Sequence, residues 1–301
     1  MTLLVALLLG VVQGVFMFVP VSSTSHLVLT QTWLRATGTS LPPPESPELI
    51  LFDLVVHVGT LVSIVVVMGA GLRALGAGVR TELASGAVRG GGLRSGAATD
   101  PAAPATRLVL LGLLSVAVTG VLGLVFRDVL GEVFASPQLV AVALIATGAM
   151  LWWTDAMTSD RSGRRLRFAW RGPGDVTVGV AIAIGAAQAV ALAPGVSRSG
   201  TTIFVALLVG MRRTLAARYS FYIAIPTILA ATGVQALQVV LDGEPVTVGA
   251  APLLIGFVVA AAVGTVSLWA VLRLLEAARF RVFSVYVWLL ATVVLVTGHG
   301  A

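Results

Sequence analysis

Two stretches of sequence decide the fold: GVVQGVFMFVPVSSTSH at Gly10 to His26 and GAAQAVALAPGVSRSGT at Gly185 to Thr201. They align at a spacing of 175 residues (185 minus 10), with Pro20 and Pro194 one position out of register. In each copy Pro, Ser and Gly interrupt an apolar run, which predicts two short helices meeting at a break. This similarity predicts an internal repeat, with a chance match of small apolar residues as the alternative. Its aligned polar pairs are Gln13 with Gln188, Ser22 with Ser197, and Ser23 with Arg198.

Composition places the rest of the chain in a membrane. Of 301 residues 57% are apolar and 11% are charged, and the mean hydropathy is +1.01. Apolar runs of roughly 17 to 25 residues match the ~30 Å hydrocarbon layer of a bilayer. We expect one polytopic all-α membrane domain over residues 1–301, with about six transmembrane helices and two broken segments. The predicted spans are about 50–73, 107–126, 138–154, 218–240, 250–272 and 282–298, and the broken segments are 2–35 and 175–211.

Residue usage excludes several classes of site. Cysteine is absent, which rules out disulfides, thiolate metal sites and cysteine nucleophiles. All 19 basic residues are arginine and the net charge is +6. Most of these arginines stand beside span ends, so membrane topology explains them better than nucleic-acid binding does. We predict membrane lipids, and no nucleic acid, as partners.

The uneven placement of arginine predicts the orientation. The Arg-rich stretches 73–107 and 161–171 should be cytoplasmic, whereas the acidic or neutral loops 42–48 and 241–246 should lie outside. The parity works only if 2–35 enters and leaves from the outer side and 175–211 from the cytoplasmic side. Both are then re-entrant hairpins in an inverted repeat with a site at the midplane. This predicts halves of about 1–155 and 175–301, a cytoplasmic linker at about 75–106, and both termini outside.

The second break has the composition of an anion site. Arg198 follows an apolar run and stands among the hydroxyl residues Ser197, Ser199, Thr201 and Thr202. An arginine at membrane depth usually faces a polar cavity or a partner, although one that reaches the interface is the alternative. A guanidinium offers a fork of donors for phosphate, and hydroxyls and free backbone N–H groups at a helix start complete the cradle. We therefore predict phosphate binding here.

The first break concentrates hydroxyls beside an imidazole. Ser22, Ser23, Thr24, Ser25 and His26 are five consecutive residues. A serine near a histidine is the minimum for an activated nucleophile, and the histidine could instead activate water or protonate a leaving group. A hydrogen-bonded packing histidine is the other reading. The repeat and the serine cluster favour the functional one.

A second polar stripe lies in the first full span. Asp53, His57 and Thr60 have i, i+4 and i+7 spacing, which puts them on one face of a helix. Because this face is near the predicted outer end of the span, a solvated face and a role in the cavity are equally open. The chain has three histidines, and their separation makes a multi-histidine metal site an unfavourable reading.

Taken in order, these motifs resemble the undecaprenyl pyrophosphate phosphatase family, the bacitracin-resistance type of integral membrane enzyme. The resemblance runs over nearly the whole chain. It includes the first repeat copy with its PVSSTSH end, FDLVVHVGT at Phe52 to Thr60, PGVSRSGTT at Pro194 to Thr202, and ARYSFYIAIP at Ala217 to Pro226. It implies release of one phosphate from a polyprenyl diphosphate, assisted by a divalent cation (Mg²⁺ or Ca²⁺), at a site open to the outer face of the cytoplasmic membrane. The product is the lipid carrier of cell-wall synthesis.

The resemblance also implies roles for individual residues. Ser23 and His26 match the nucleophile and the general acid/base, and Arg198 matches the phosphate-binding arginine. The chemistry of the two breaks points to the same residues, so the predicted catalytic set is Ser23, His26 and Arg198. The predicted substrate-binding set is Gln13, Ser22, Thr24, Ser197, Ser199, Thr201 and Thr202.

One position departs from the family pattern in a way that concerns the cation. The family carries an acidic pair, or Gln then Glu, four residues apart before the Pro, whereas this chain has Gln13 and Met17. A thioether cannot replace a carboxylate around Mg²⁺ or Ca²⁺, because hard cations prefer oxygen. Asp53 is the nearest substitute, so we expect Gln13 and Asp53 as metal ligands. A further departure is Val287, which follows Tyr286 where the family often has Arg. The sequence assigns no consequence to this substitution.

Two other functions fit the same sequence. Inverted repeats with broken helices are also the architecture of secondary transporters, which would move a polyprenyl phosphate or a small anion. A catalytically impaired paralogue is the other alternative, because of Met17. A homo-oligomer is compatible with either.

Overall fold

The computed structural model describes residues 1–43, 46–85, 105–126, 129, 136–156, 176–243, 248–277 and 279–297. These residues form ten α-helices and no strand, which confirms the all-α prediction. The helices are α1 (Leu3–Phe16), α2 (Ser23–Ala36), α3 (Pro47–Ala84), α4 (Ala105–Val125), α5 (Pro137–Ala156), α6 (Val178–Val190), α7 (Arg198–Leu208), α8 (Arg213–Asp242), α9 (Ala250–Glu276) and α10 (Arg281–Thr297).

Five helices in the described part of the chain are long and apolar enough to cross a membrane, namely α3, α4, α5, α8 and α9. They coincide with five of the six predicted spans. The sixth predicted span is α10, whose 17 residues rise only about 25 Å at 1.5 Å per residue. The protein is therefore a multi-pass helical membrane protein.

Both interrupted segments fold as pairs of short helices. In the first, α1 ends at Phe16 and α2 starts at Ser23; in the second, α6 ends at Val190 and α7 starts at Arg198. At 14 residues, α1 and α2 rise about 21 Å each, too short to cross the ~30 Å hydrocarbon layer. We call the pair α1 and α2 the first hairpin, and α6 and α7 the second.

The helix α3 is longer than its sequence predicts. It runs 38 residues to Ala84, so the first part of the predicted linker at 75–106 is helical. Near its end the Glu82 carboxylate accepts hydrogen bonds from Ala105 N at 2.6 Å and Thr106 N at 3.0 Å. This carboxylate caps the start of α4 and joins the two helix ends. Residues 86–104 of the linker lie outside the described residues.

The two hairpins pack in equivalent ways. The helix α1 lies against α9, and α6 lies against α4, so each hairpin's first helix meets the fourth helix of the opposite half. The aligned glycines Gly10 and Gly185 make both approaches close. A β-carbon at Gly10 would lie 3.0 Å from Gly256 O, and one at Gly185 would lie 2.5 Å from Ser115 O. Small residues at such contacts are typical of helix packing in membranes.

Serine and threonine hydroxyls reinforce these contacts. Ser267 donates to Val15 O at 2.7 Å between α9 and α1, and Thr119 donates to Gly185 O at 2.9 Å between α4 and α6. Such interhelical bonds add only about 0.6 kcal/mol on average, because the unfolded chain in the membrane also finds hydrogen-bond partners. They hold each hairpin against a long helix.

Candidate functional site

The tips of the two hairpins meet in the structure. Gly195 N, in the second tip, donates to both Ser22 Oγ at 3.1 Å and Ser25 Oγ at 3.0 Å in the first. Ser199 Oγ donates to Phe18 O at 3.4 Å. We call the bonds from Gly195 to the two serines the latch. The repeat predicted that these two segments face each other, and the latch joins them directly.

The backbone conformation and close packing at position 195 of the latch require glycine. Its φ of +85° is in the left-handed region, and a β-carbon there would lie 2.5 Å from Val140 O. Thr147 donates to Gly195 O at 2.9 Å and accepts from Ser197 N at 3.3 Å. The helix α5 therefore fixes the second tip from behind.

A cavity of about 170 Å³ lies beside the latch. Its polar lining comes from both tips, from α3 and from α8, and consists of Ser22, Ser23, Thr24, His57, Ser197, Arg198, Ser199 and Thr227; its apolar lining includes Phe16, Met17, Val19, Leu192 and Ile228. Ser23 is the first residue of α2 and Arg198 the first of α7. Two helix N-termini, each with a partial positive charge and free N–H groups, therefore converge on the same space.

Arg198 has donor capacity that the protein does not use. Its Nη1 is buried and has no hydrogen-bond partner, and no carboxylate forms a salt bridge with it in the described part of the chain. Thr201 Oγ1, one turn into α7, is also buried without a partner. Leaving buried donors unpaired is costly. The unpaired guanidinium nitrogen of Arg198 and the converging helix N-termini have the donor chemistry that suits an anion.

The side chain of Met17 lies between a predicted ligand and the predicted nucleophile. Its Sδ accepts a weak contact from Gln13 Nε2 at 3.5 Å and another from Ser23 Oγ at 3.9 Å. Gln13 Oε1 is buried and has no partner. Neither contact has the strength of an oxygen acceptor, so the Ser23 hydroxyl remains available to a substrate in the cavity.

His26 is packed beside the cavity and does not line it. Its Nδ1 donates to Ser22 O at 2.7 Å, and its Nε2 is 2.7 Å from the Tyr286 hydroxyl. In a neutral ring that bonding leaves Nε2 as the acceptor of the tyrosine proton. Phe16 stacks on the ring at a centroid distance of 3.8 Å. Both ring nitrogens are thus engaged, and a role of His26 in proton transfer stays a prediction.

Asp53 turns toward another partner. Gln31 Nε2 donates to its two carboxylate oxygens at 3.2 and 3.3 Å, and Asp53 is not part of the cavity lining. Within the described ranges no three His, Asp or Glu side chains form a group that could hold a metal. The cavity offers hydroxyls, an imidazole, a thioether and a guanidinium, and this set does not fit Mg²⁺ or Ca²⁺, which require several anionic or carbonyl oxygens.

The predicted site residues therefore separate into two sets. Ser22, Ser23, Thr24, Ser197, Arg198 and Ser199 line the common cavity, whereas Gln13, His26, Asp53, Thr201 and Thr202 stand behind or beside it. Thr202 is buried and bonds Arg198 O at 2.8 Å and the Ser220 hydroxyl, so its observed contacts join α7 to α8.

Two polar residues of the cavity lining were not in the predicted site. The imidazole of His57 lines the cavity from α3, and Thr227 lines it from α8. The sequence contained a signal for His57, its i, i+4 spacing from Asp53, and of these two residues only His57 lines the cavity. Thr227 follows Pro226 inside α8 and had no signal besides that proline.

Comparison with known proteins gives one consistent family. The family model for "Bacitracin resistance protein BacA" matches residues 6–293. The undecaprenyl-diphosphatase of Alkalilimnicola ehrlichii is 50% identical over 97% of this chain and 95% of its own length. That of Halorhodospira halophila is 49% identical over 98% of this chain and 97% of its own length. With the two joined hairpins and the cavity between their tips already described, these matches lead to one conclusion: this chain belongs to the BacA family of bacitracin resistance proteins.

Proposed function

We propose that this protein is a phosphatase that hydrolyses undecaprenyl diphosphate, or a closely related polyprenyl diphosphate, to the monophosphate and inorganic phosphate. The observation that carries the proposal is the unpaired Arg198 at the meeting point of two helix N-termini, with the Ser23 hydroxyl in the same cavity. Relatives covering nearly the full chain bear the name undecaprenyl-diphosphatase.

The geometry gives each group a task in phosphoryl transfer. Arg198 and the N–H groups at the start of α7 bind the terminal phosphoryl oxygens, where charge is spread in the transition state. Ser23, on the opposite tip, provides an oxygen nucleophile directed at the same phosphorus. The apolar lining beside it, with Phe16 and Leu192, suits the start of an isoprenoid tail.

The activity test is phosphate release. The purified protein is given undecaprenyl diphosphate in detergent micelles, and inorganic phosphate is measured beside Arg198→Ala. Turnover by the wild type that the variant loses supports the proposal. Binding of the lipid by the wild type without any phosphate release would overturn it and would favour a carrier.

We propose further that the site opens to the outer face and that both hairpins are re-entrant. Arg73 and Arg80 lie near the C-terminal end of α3 and Arg273 near that of α9, which supports a cytoplasmic location of these ends. The natural absence of cysteine makes the test direct. Thr39→Cys should react with a membrane-impermeant maleimide in intact cells, and Ser85→Cys only after permeabilisation. The reverse labelling pattern would refute this orientation.

A further inference from the structure

We propose that His57, on α3, is the proton-accepting catalytic residue of this cavity. The proposal rests on the phosphatase function above and adds a group to it. Serine attack on phosphorus requires an acceptor for the hydroxyl proton, and that acceptor must stand in the cavity with its lone pair free.

The hydrogen bonding of His57 leaves one nitrogen available. Its Nδ1 is 2.7 Å from Asp53 O, and because a carbonyl can only accept, Nδ1 carries the proton of the neutral ring. Its Nε2 therefore has a lone pair, and in the described part of the chain no side chain or backbone group bonds it. The imidazole lines the cavity together with Ser23 and Arg198.

The contrast with His26 makes the choice between the two histidines. The lone pair of His26 Nε2 is already occupied by the Tyr286 hydroxyl at 2.7 Å, and its ring is stacked on Phe16 outside the cavity lining. Taking a proton there would require that bond to break first. His57 has the same fixed tautomer without that obstacle.

The surrounding structure holds His57 in place. Gly59 brings α3 so close to α9 that a β-carbon would lie 2.6 Å from Phe257 O. Ser63 Oγ donates to Ala261 O at 2.9 Å between the same two helices. Rotation of α3 about its axis is thereby restricted, and the imidazole keeps its direction, as a catalytic group on a rigid helix should.

The charged groups around His57 suit this role only when substrate is bound. Arg198 faces the same cavity from α7, and its positive charge opposes a second one on the imidazole. A bound diphosphate carries several negative charges, which offset both. Asp53, one turn away on α3, has its carboxylate bonded to Gln31 and contributes only its backbone oxygen.

The reaction then balances in two steps. The Ser23 oxygen bonds the terminal phosphorus while its proton passes to His57 Nε2; the bond from that phosphorus to the bridging oxygen breaks, and the electron pair stays on the bridging oxygen. The proton leaves with the polyprenyl monophosphate. Water then attacks the phosphoserine, its proton returning through His57 to the Ser23 oxygen as inorganic phosphate departs.

The test is a cavity-forming variant with chemical rescue. For His57→Ala we expect kcat to fall about 100-fold or more, the usual contribution of a general base, with KM changed less than about threefold. Free imidazole should restore part of kcat, because the deleted ring leaves space for it beside the cavity. The more basic 4-methylimidazole should restore more. The matched control is Thr265→Val, which removes a hydroxyl bonded to Ala261 O within α9. Its kcat should not fall, and imidazole should not change it.

His57→Gln provides a second variant that keeps a polar side chain, in case the alanine protein does not fold; folding is checked by size exclusion in detergent. A kcat within threefold of wild type for either folded variant, or no response of His57→Ala to imidazole, would overturn the assignment. Failure of the wild type to release phosphate would instead overturn the phosphatase proposal itself.

Discussion

The two hairpin tips use the same aligned serine in different ways. Ser197 is an ordinary N-cap, with φ −77° and ψ 117°, and its hydroxyl accepts from Gly200 N at 3.2 Å. Ser22 stands at the same position of α2 but has φ 69° and makes no side-chain cap. Its hydroxyl instead accepts from Gly195 N across the interface. In the second tip the serine starts its own helix, and in the first it holds the other hairpin.

The unusual backbone of Ser22 follows from that exchange. Among the described residues it is the only non-glycine residue with a positive φ, a conformation that costs about 1 to 3 kcal/mol. Such strain persists where the surroundings over-determine the position. Here Ser22 takes part in the latch and precedes Ser23, the proposed nucleophile, so the strain lies where the chemistry is proposed.

The comparison also separates the chemical tasks. The second tip contributes the fixed positive charge of Arg198, whereas the first contributes hydroxyls and an unpaired helix start. In the proposed mechanism, the second hairpin supplies the phosphate-binding group and the first supplies the nucleophile.

The largest effect should come from Arg198→Ala. Removing the guanidinium that spreads transition-state charge should lower kcat/KM about 1,000-fold, the lower end for arginines in phosphoryl transfer. Arg198→Lys keeps the charge and loses the fork, so it should fall between wild type and alanine. Phosphate release from undecaprenyl diphosphate measures all three. Equal activity of the lysine and alanine variants would contradict a bidentate role.

The next effect concerns the fold of the second tip. Gly195→Ala places a β-carbon 2.5 Å from Val140 O at a φ of +85°, which should lower the free energy of unfolding by about 2 to 4 kcal/mol. Unfolding by SDS in mixed micelles measures it. The control is Gly69→Ala in α3, where no atom lies within 4 Å of the added carbon and stability should rise by about 0.5 to 1 kcal/mol. A loss of the same size at both positions would remove the special role of Gly195.

A smaller, qualitative effect tests the cation. Met17→Glu adds a carboxylate beside Gln13 and Ser23, and hard divalent cations prefer such oxygens. We expect its phosphate release to depend on Mg²⁺ or Ca²⁺ more steeply than that of the wild type. Met17→Gln has nearly the same shape without the charge and should not gain this dependence. An identical response to EDTA in all three proteins would show that position 17 is not near a cation.

The smallest effect compares the two serines directly. Ser197→Ala deprives Gly200 N of its acceptor and should cost about 1 kcal/mol, as for other N-caps. Ser22→Ala loses a bond of the latch, but Ser25 Oγ still accepts from Gly195 N at 3.0 Å, so the loss should be similar or smaller. The double variant Ser22→Ala, Ser25→Ala should exceed the sum of the two single losses, since only then is Gly195 N left without an acceptor. Additive losses in the SDS assay would contradict the latch.

Much of the fold could be predicted from local sequence. The breaks at 17–22 and 191–197 follow from Pro, Ser and Gly in apolar runs, and hydropathy located the long helices. The extension of α3 to Ala84 could not be predicted in that way. Its last turns are no longer apolar, and their end is defined by contacts of Glu82 with α4, which lies 23 residues later in the chain.

The cavity residues that could be predicted from the sequence are those whose neighbours in the cavity are also their neighbours in the chain. Ser23 and Arg198 are first residues of helices, and the hydroxyls around them are sequence neighbours. To predict that His57 lines the cavity, one would need to know how α3 is rotated about its axis. The close contact of Gly59 with Phe257, which lies in α9 almost 200 residues later in the chain, restricts that rotation. His26 was ambiguous for the same reason, because its partner Tyr286 is 260 residues distant.

The latch also has a consequence for how the protein is made. Gly195 is 173 residues after Ser22, so at about 5 to 20 residues per second of synthesis the second tip is made roughly 9 to 35 s after the first. During that interval Ser22 and Ser25 lack the hydrogen bonds that they later accept from Gly195 N. Completion of the cavity around Ser23 is therefore a late event in biogenesis, because it requires synthesis of the second hairpin.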